Sequence, residues 1–208
     1  TVHFFKNITK AHFKVKNRLH QEEVPWRLTE DEIKDRIRQG TPLISFHALP
    51  LKESLLKALF LELCTIIKDH QNSEQHMVQR VIRAEEEHAL SLHLMVEKLF
   101  HHDHAYFHAA AEAISADSNL LLFIALHLTK PFCEAVVEKA AIKIDEQSWL
   151  RHYCPFCGSV AHMARLEKEG GRRLLYCQLC GSAWRYMRVK CPFCCSEDQK
   201  KLKFKAEE

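Results

Sequence analysis

Cysteines spaced as Cys-x-x-Cys are the residues of this sequence whose type and spacing could do chemistry. Such pairs occur three times in the last quarter of the chain, at Cys154/Cys157, Cys177/Cys180 and Cys191/Cys194. Each pair can form a Cys knuckle, a tight turn in which two thiolates and nearby backbone N–H groups converge on one point. One knuckle supplies half of a tetrahedral metal site.

The first two knuckles have the spacing of one complete metal site. Nineteen residues separate Cys157 from Cys177, which is typical of four-cysteine zinc sites. We therefore predict that one zinc or iron ion is bound by Cys154, Cys157, Cys177 and Cys180. Four thiolates leave no open coordination position, so the predicted role of the metal is structural and not catalytic.

The third knuckle, Cys191 and Cys194, has no fourth knuckle to pair with before Glu208. We predict a second metal site there, for which this sequence contains only one of the two knuckles needed. It would take missing downstream residues as ligands, take a histidine, or stay empty. The turn usually needs a positive φ after its second cysteine, a conformation that glycine adopts freely. Gly158 and Gly181 provide it in the first two knuckles, and we do not expect Cys195 to do so in the third.

Thiol redox catalysis is a competing interpretation, because Cys-Pro-Phe-Cys also resembles a glutaredoxin active site. That chemistry needs the first cysteine at a helix N-terminus inside a thioredoxin-like fold, where its pKa is lowered. The sequence around these pairs predicts no such fold.

Histidines are numerous, at 15, but their pattern favours surface or helix-capping positions. His101, His104 and His108 could share one helical face. Glu85-x-x-His88 is half of a di-iron bundle motif, whose second Glu-x-x-His on a facing helix is missing. We therefore predict no metal at these residues and expect Glu85 to be mostly exposed.

Nucleic-acid binding by a zinc ribbon is another function that these knuckles could support. The stretch Trp184–Lys190 is basic and aromatic, and it could stack bases. It could equally be a β-strand with Trp184, Tyr186 and Arg188 on one face, which we favour. Residues 151–208 carry 12 Lys and Arg against 6 Asp and Glu, a net +6, and a divalent ion in four thiolates would remove about two of these charges. The tail is then only mildly cationic, so we expect no nucleic-acid partner.

Helical patterns cover the chain before the knuckles. Thr29 followed by Glu32 is a capping box, and Gly40 ends that helix. Further helices are predicted over residues 50–70, 72–100, 103–114 and 119–143, with Asp117 and Ser118 capping the last and Pro131 kinking or restarting it. These segments predict a bundle of five or six helices. For residues 1–20 the pattern suggests at most a basic helix.

Short β-prone runs replace helical patterns near residue 145. They cover 174–176, 183–189 and 202–204, between and after the knuckles. So few apolar residues need a metal to hold a fold. The predicted fold is mainly α, with a helical bundle domain at 1–148 and a rubredoxin-like or zinc-ribbon β module at 149–208. We expect the second module to be incomplete at the C-terminus.

Cysteine use predicts a reducing, cytoplasmic compartment, since clustered cysteines there are more often metal ligands than disulfides. The longest apolar run, 120–126, is too short to span a bilayer. No basic-then-apolar leader opens the chain. It starts at Thr1 and not at Met, so we expect residues to be missing there. Nothing in the pattern indicates the oligomeric state.

The arrangement resembles the family of formate dehydrogenase accessory proteins, FdhE. The resemblance lies in a helical region of about 150 residues followed by Cys154-Pro-Phe-Cys-Gly-Ser, then by Gly171-Arg-Arg-Leu-Leu-Tyr-Cys-Gln-Leu-Cys-Gly-Ser-Ala-Trp184, then by Arg188-Val-Lys-Cys-Pro-Phe-Cys194. It is specific over residues 152–194 and only architectural before them.

This resemblance implies a helical domain followed by two rubredoxin-like modules with four knuckles. It implies a cytoplasmic, non-enzymatic assembly factor that binds the catalytic subunit of a molybdenum- or tungsten-dependent formate dehydrogenase. The implied metal is iron or zinc, with Cys154, Cys157, Cys177 and Cys180 as ligands of the first site and Cys191 and Cys194 as ligands of the second. The chain departs from the family by ending before a fourth knuckle and by having Cys195 where a glycine would be.

Overall fold

The computed structural model describes residues 2–22, 28–70, 75–145, 147–168 and 170–198. The chain forms two compact units. The first contains Thr1–Trp26 and Phe46–Lys139, and the second contains Arg27–Ser45 and Ala140–Glu208. The sequence did not predict that residues 27–45 group with the C-terminal part of the chain. The domain limits 1–148 and 149–208 stay a prediction, because a compact unit is not yet a domain that folds alone.

Seven α-helices and three β-strands make up the described chain. The helices are α1 (Val2–His20), α2 (Glu30–Gln39), α3 (Glu53–His70), α4 (Gln75–Glu86), α5 (Leu92–Phe100), α6 (His104–Ala113) and α7 (Ser118–Ala140), with a 3₁₀ turn at Phe46–Ala48. The strands are β1 (Ala161–Leu166), β2 (Arg173–Cys177) and β3 (Ala183–Tyr186). The predicted fold class, mainly α with a small C-terminal β module, is confirmed.

Helix α7 supplies much of the core of the first unit. Its buried residues include Leu121, Ile124, Leu128 and Phe132. The chain stays helical through Pro131, so of the two predicted alternatives, a kink or a restart, the restart is wrong. Among the described residues, α7 alone is long and apolar enough to cross a membrane by length and composition. Most of it is buried inside the protein, and a core helix passes the same test.

The segment predicted as one helix up to residue 100 is broken. Helix α4 ends at Glu86 and α5 starts at Leu92, while residues 71–74, where the helix was predicted to begin, lie outside the described chain. His88 has φ 59°. The N–H groups of Ala89 and Leu90 both donate to the carbonyl of Ala84, at 2.8 and 2.9 Å. No glycine or proline marks this turn in the sequence.

Helix α2 begins and ends as predicted. The Thr29 hydroxyl accepts from the Glu32 N–H, and the Glu32 carboxylate accepts from the Thr29 N–H at 2.8 Å. These two bonds form the capping box. Gly40 ends the helix in the left-handed conformation, with φ 75°.

The three strands form one antiparallel sheet in the order β1-β2-β3. Leu175 in the central strand pairs with Ala164 on one side and Trp184 on the other. Leu175 and Trp184 are buried, and so is Trp149, whose indole N–H donates to the Tyr153 carbonyl at 2.8 Å. Strands β2 and β3 overlap the predicted runs, β1 was not predicted, and the run 202–204 lies outside the described residues.

Candidate metal centre

Four cysteine sulfurs converge in the second unit. They belong to Cys154, Cys157, Cys177 and Cys180, and all lie within 4.8 Å of one another. The sulfurs of Cys154 and Cys180 are 3.5 Å apart, and those of Cys157 and Cys177 are 3.4 Å apart. A disulfide would need about 2.0 Å. All four are free thiols buried from solvent.

Backbone hydrogen bonds give both knuckles the same turn. In the first, the Cys154 N–H donates to Ser159 and the Gly158 N–H donates to the Cys154 carbonyl, at 2.9 and 3.0 Å. In the second, the equivalent bonds from Cys177 and Gly181 measure 2.9 and 3.2 Å. Gly158 and Gly181 have φ 74° and 71°, as predicted. Each turn therefore points its two sulfurs to the same side.

The knuckles are also held by the sheet and by a segment far away in sequence. Cys177 ends the central strand β2. The N–H groups of Leu43 and Ile44 donate to the carbonyls of Pro155 and Phe156, at 2.9 and 2.7 Å. These bonds attach the chain after α2 to the first knuckle, and no pattern in the sequence predicted them.

A second contact joins the same two parts of this unit. The Tyr153 hydroxyl donates to the Gly40 carbonyl at 2.8 Å, across 113 residues of sequence. Gly158 lies so close to Pro42 that a Cβ at that position would be 3.0 Å from its Cγ. The first knuckle is thus packed against the end of α2.

The four thiols strongly perturb one another. Burial raises the pKa of Cys154 well above its ordinary value. The hydrogen bond with Cys154 raises the pKa of Cys157, while hydrogen bonds from its three neighbours, Cys154 first, hold the pKa of Cys177 far below the usual range. The Leu179 and Cys180 N–H groups also donate to the Cys177 sulfur, at 3.3 and 3.4 Å. One thiolate is therefore stabilised without a cation, whereas further ones need a positive charge beside them.

The donor set fits a tetrahedral metal. A zinc ion with sulfur ligands at about 2.3 Å places the sulfurs roughly 3.8 Å apart, close to the separations observed. Thiolates are ligands that both zinc and iron accept. The four cysteines could hold one such metal ion. They would leave it no open position, and the metal would supply structural cross-linking.

The third knuckle has the same turn without partner sulfurs. The Cys191 N–H donates to Ser196 and the Cys195 N–H to the Cys191 carbonyl, at 2.9 and 3.0 Å. Cys195 takes φ 57°, so the expectation that it would not provide a positive φ is wrong. Backbone N–H groups of Cys194 and Phe193 lower the pKa of Cys191. Metal binding by Cys191 and Cys194 stays a prediction.

The other chemistry considered from the sequence finds little support in the described residues. Within them, only the four cysteines form a group of three or more candidate metal ligands, so Glu85, His88 and the histidines at 101, 104 and 108 form no such group. Glu85 is not exposed as predicted, since its side chain is 12% accessible and pairs with Lys57. The residues after Cys154 form a turn and a β-bridge and not a helix N-terminus, which disfavours glutaredoxin chemistry.

The rings that nucleic-acid stacking would use are covered. Trp184 and Tyr186 are 5% and 3% exposed. They lie on one face of β3, because both pair with residues of the same face of β2, as the strand interpretation predicted. Arg188 lies beyond the end of the strand. Base stacking on this segment is therefore disfavoured.

A helical protein with a C-terminal zinc-ribbon-like module is the class that this fold and site define. Residues 153–188 match the family described as FdhE, central domain. Similar proteins include the FdhE homologue of Citrobacter koseri, 28% identical over 165 residues, and Protein FdhE of Salmonella dublin, 29% identical over 165 residues. Each alignment covers 78% of this chain and 49% of the relative. The predicted resemblance to the FdhE family is confirmed.

The chain spans about half the length of the curated relatives it matches. A crystal structure of the FdhE protein from Pseudomonas aeruginosa is also similar, with a TM-score of 0.48 and 17% sequence identity. That similarity covers 94% of this chain and 63% of the other.

Proposed function

We propose that this chain is part of a non-enzymatic assembly factor that binds the catalytic subunit of a formate dehydrogenase in the cytoplasm during its maturation. The observation that carries the proposal is the match of residues 153–188 to the central domain of FdhE. Those residues contain the two knuckles whose sulfurs converge. The residues that match the family model are therefore those that the metal would organise.

In this proposal the metal, zinc or iron, is held by Cys154, Cys157, Cys177 and Cys180. It cross-links two turns that the short sheet alone could not keep together. Bound metal also neutralises thiolates that would otherwise repel one another. The folded module then presents a fixed surface to the partner protein.

Co-purification tests the partner. We expect the tagged chain to retain the dehydrogenase catalytic subunit from a host that lacks its own accessory factor. We expect Cys154→Ser and removal of residues 151–208 each to abolish that binding and lower dehydrogenase activity in the host. Cys195→Ser is the matched control, since Cys195 is exposed and outside the sulfur cluster, and it should bind normally.

The helical circular dichroism of each variant shows whether the first unit is still folded. If both Cys154→Ser and the deletion keep partner binding and dehydrogenase activity, the knuckles are not required for binding the catalytic subunit. If the unaltered chain retains no catalytic subunit, the assembly role itself is wrong.

The colour and metal content of the purified protein distinguish the two metals. Ferric iron in four thiolates is red, whereas zinc is colourless. We expect one equivalent of zinc or iron in the unaltered chain and much less in Cys154→Ser.

A further inference from the structure

Helix α1 presents an exposed face on which apolar side chains lie next to cationic ones. Its other side is buried in the core of the first unit through residues such as Ile8 and Leu19. On the exposed face, Val2, Phe5 and Phe13 are 85%, 49% and 61% accessible. At 3.6 residues per turn these three lie within roughly 80° of one another around the helix axis. Single exposed apolar residues are common, whereas several on one helix face indicate an interaction surface.

Four cations run along the same helix at intervals of about one turn. Lys6, Lys10, Lys14 and Arg18 are spaced four residues apart, and all four are exposed. Side chains at that spacing are neighbours on a helix, and like charges there lower its stability. The 19 residues of α1 include no Asp or Glu to offset the repulsion. Of the four, only Arg18 lies in the last turn, where the helix dipole favours a cation.

A neighbouring helix neutralises only part of this charge. Lys14 pairs with Glu62 of α3 at 2.6 Å. Within the part of the chain that the structure describes, no ion pair or side-chain hydrogen bond involves Lys6, Lys10 or Arg18. Three of the four charges therefore lack an internal counter-ion among these residues and favour an external anion.

The composition and shape of this face indicate which anion fits. Arginine is enriched and lysine depleted at protein–protein interfaces, and this row has three lysines and one arginine. Sites for single-stranded nucleic acids are grooves in which aromatic rings stack on bases, whereas the outer side of a helix is convex. Lysines beside phenylalanines on a helix surface are typical of contact with an anionic membrane surface. There the rings enter the headgroup region while the ammonium groups reach the phosphates.

We propose that the exposed face of α1 binds an anionic phospholipid surface without spanning the bilayer. Phe5 and Phe13 insert at the level of the headgroups. Lys6, Lys10 and Arg18 lie against the lipid phosphates. The helix axis is then parallel to the membrane plane, and the buried side of α1 stays in the core of the first unit. This surface has no residue in common with the sulfur cluster, and it does not depend on the proposed assembly role.

Sedimentation of the metal-loaded chain with vesicles tests the charge preference. The probes are vesicles of phosphatidylcholine alone and vesicles of equal parts phosphatidylcholine and phosphatidylglycerol. Each cation near an anionic surface should strengthen binding roughly fivefold. We therefore expect the three unpaired cations to favour the anionic vesicles on the order of a hundredfold over the neutral ones. Salt at about 0.5 M should remove most of this preference, because it screens exposed charges.

Two double variants with the same change in charge locate the contact. Lys6→Gln/Lys10→Gln should weaken binding to the anionic vesicles about 25-fold, at roughly fivefold per lysine. Lys34→Gln/Lys143→Gln removes two exposed lysines outside α1 and should change binding less than about twofold, because charges beyond the screening length contribute little. Helical circular dichroism shows whether each variant is folded.

The phenylalanines distinguish insertion from adsorption by charge alone. Phe5→Ser/Phe13→Ser keeps every charge and should weaken binding to the anionic vesicles on the order of tenfold, because less apolar surface is buried. Phe13→Trp should keep the affinity. In anionic vesicles with brominated acyl chains, we expect its tryptophan emission to be quenched more strongly than that of the unaltered chain.

Any of four results would overturn the proposal. The first is absence of binding of the unaltered chain to the anionic vesicles. The second is equal binding of the two lysine double variants, and the third is unchanged binding of Phe5→Ser/Phe13→Ser. The fourth is release of the chain from the vesicles by a short oligothymidylate or by polyglutamate at a matched concentration of anionic groups. That release would show that the face prefers a nucleic acid or an acidic protein segment to a lipid surface.

Discussion

The two compact units of this chain keep their folds by different means. The first is built on helices whose apolar side chains fill a continuous core, with Phe60, Leu121 and Phe132 completely covered. The second has three strands of four to six residues and a cluster of four thiols. The apolar core stabilises the first unit with or without metal. The second unit has too small an apolar core to stay folded once the cross-link through the metal is lost. One chain therefore contains a unit that should tolerate chelation and a unit that should not.

Metal removal should have the largest effect, and it should separate the two units. Structural zinc contributes on the order of 10 kcal/mol to the folding of small modules at neutral pH. A strong chelator should therefore expose Trp149 and Trp184, which are buried in the second unit, and shift their fluorescence to the red. The helical circular dichroism should change little.

The matched control for chelation is Phe132→Ala, which removes a buried ring from the first unit. It should lower stability by about 3–5 kcal/mol and leave the metal content unchanged. If the wavelength of tryptophan emission does not change after complete metal loss, the second unit does not depend on metal, and the proposed difference between the two units is wrong.

Acid should weaken the first unit through two buried histidines. Burial lowers the pKa of His12 to about 4 and that of His127 to about 3. The rings stack at 5.2 Å, and Nε2 of His12 and Nδ1 of His127 have no hydrogen-bond partner among the described residues. Between the unfolded value near 6.5 and the folded value near 4, the unfolded state binds the additional proton. Stability is therefore complete above about pH 6.5 and falls as the pH is lowered.

For His12 alone the loss between pH 6.5 and pH 4 should be roughly 3 kcal/mol. Denaturant unfolding followed by helical circular dichroism at several pH values measures it. His12→Leu should flatten the profile, and His108→Gln, at an exposed position, should leave it as it is. Because both variants keep the sulfur cluster, proton competition for the metal affects them equally. A profile that His12→Leu does not change would contradict the assignment.

The smallest expected effect concerns backbone strain after the second cysteine of a knuckle. It is tested by comparing the third knuckle with the first. Cys195 holds φ 57°, which costs a residue with a Cβ about 1 kcal/mol. Cys195→Gly should relieve this strain and raise the hydrogen-exchange protection of the amide at position 195 roughly fivefold. Gly158→Ala should do the opposite in the first knuckle, since its φ is 74° and its Cβ would meet Pro42. Cys195→Ser keeps a Cβ and should behave like the unaltered chain, and equal protection in all three position-195 proteins would argue against strain there.

Local sequence signals predicted those parts of the structure that are determined by interactions between residues close together in the sequence. The capping box at Thr29 and the glycine at position 40 define α2 because each acts within one helical turn. The spacing of the knuckles predicted which cysteines converge, because a knuckle is a five-residue turn with its own hydrogen bonds. The turn at His88 was not predicted, since it contains neither glycine nor proline, and the enrichment of histidine in the left-handed region is too weak to mark one position.

Patterns in the sequence did not predict the contacts between segments that are far apart along the chain. The bonds from Leu43 and Ile44 to the first knuckle use backbone atoms, which every residue carries. These bonds contribute to the grouping of α2 with the C-terminal part of the chain, and no side-chain pattern records them. For the same reason the burial of Glu85 was not predicted: its carboxylate looks exposed by helical period, but it pairs with Lys57 of α3.

The order of synthesis has a consequence for the second unit, whose two parts are separated by Phe46–Lys139. The segment at Leu43 and Ile44 leaves the ribosome well before Pro155 and Phe156, to which it bonds. At about 5–20 residues per second, roughly ten seconds pass between them. During that interval the early segment must wait without its partner, and the last sulfur needed to close the cluster arrives later still. The nascent chain can thus complete its helical unit before it can retain an ion.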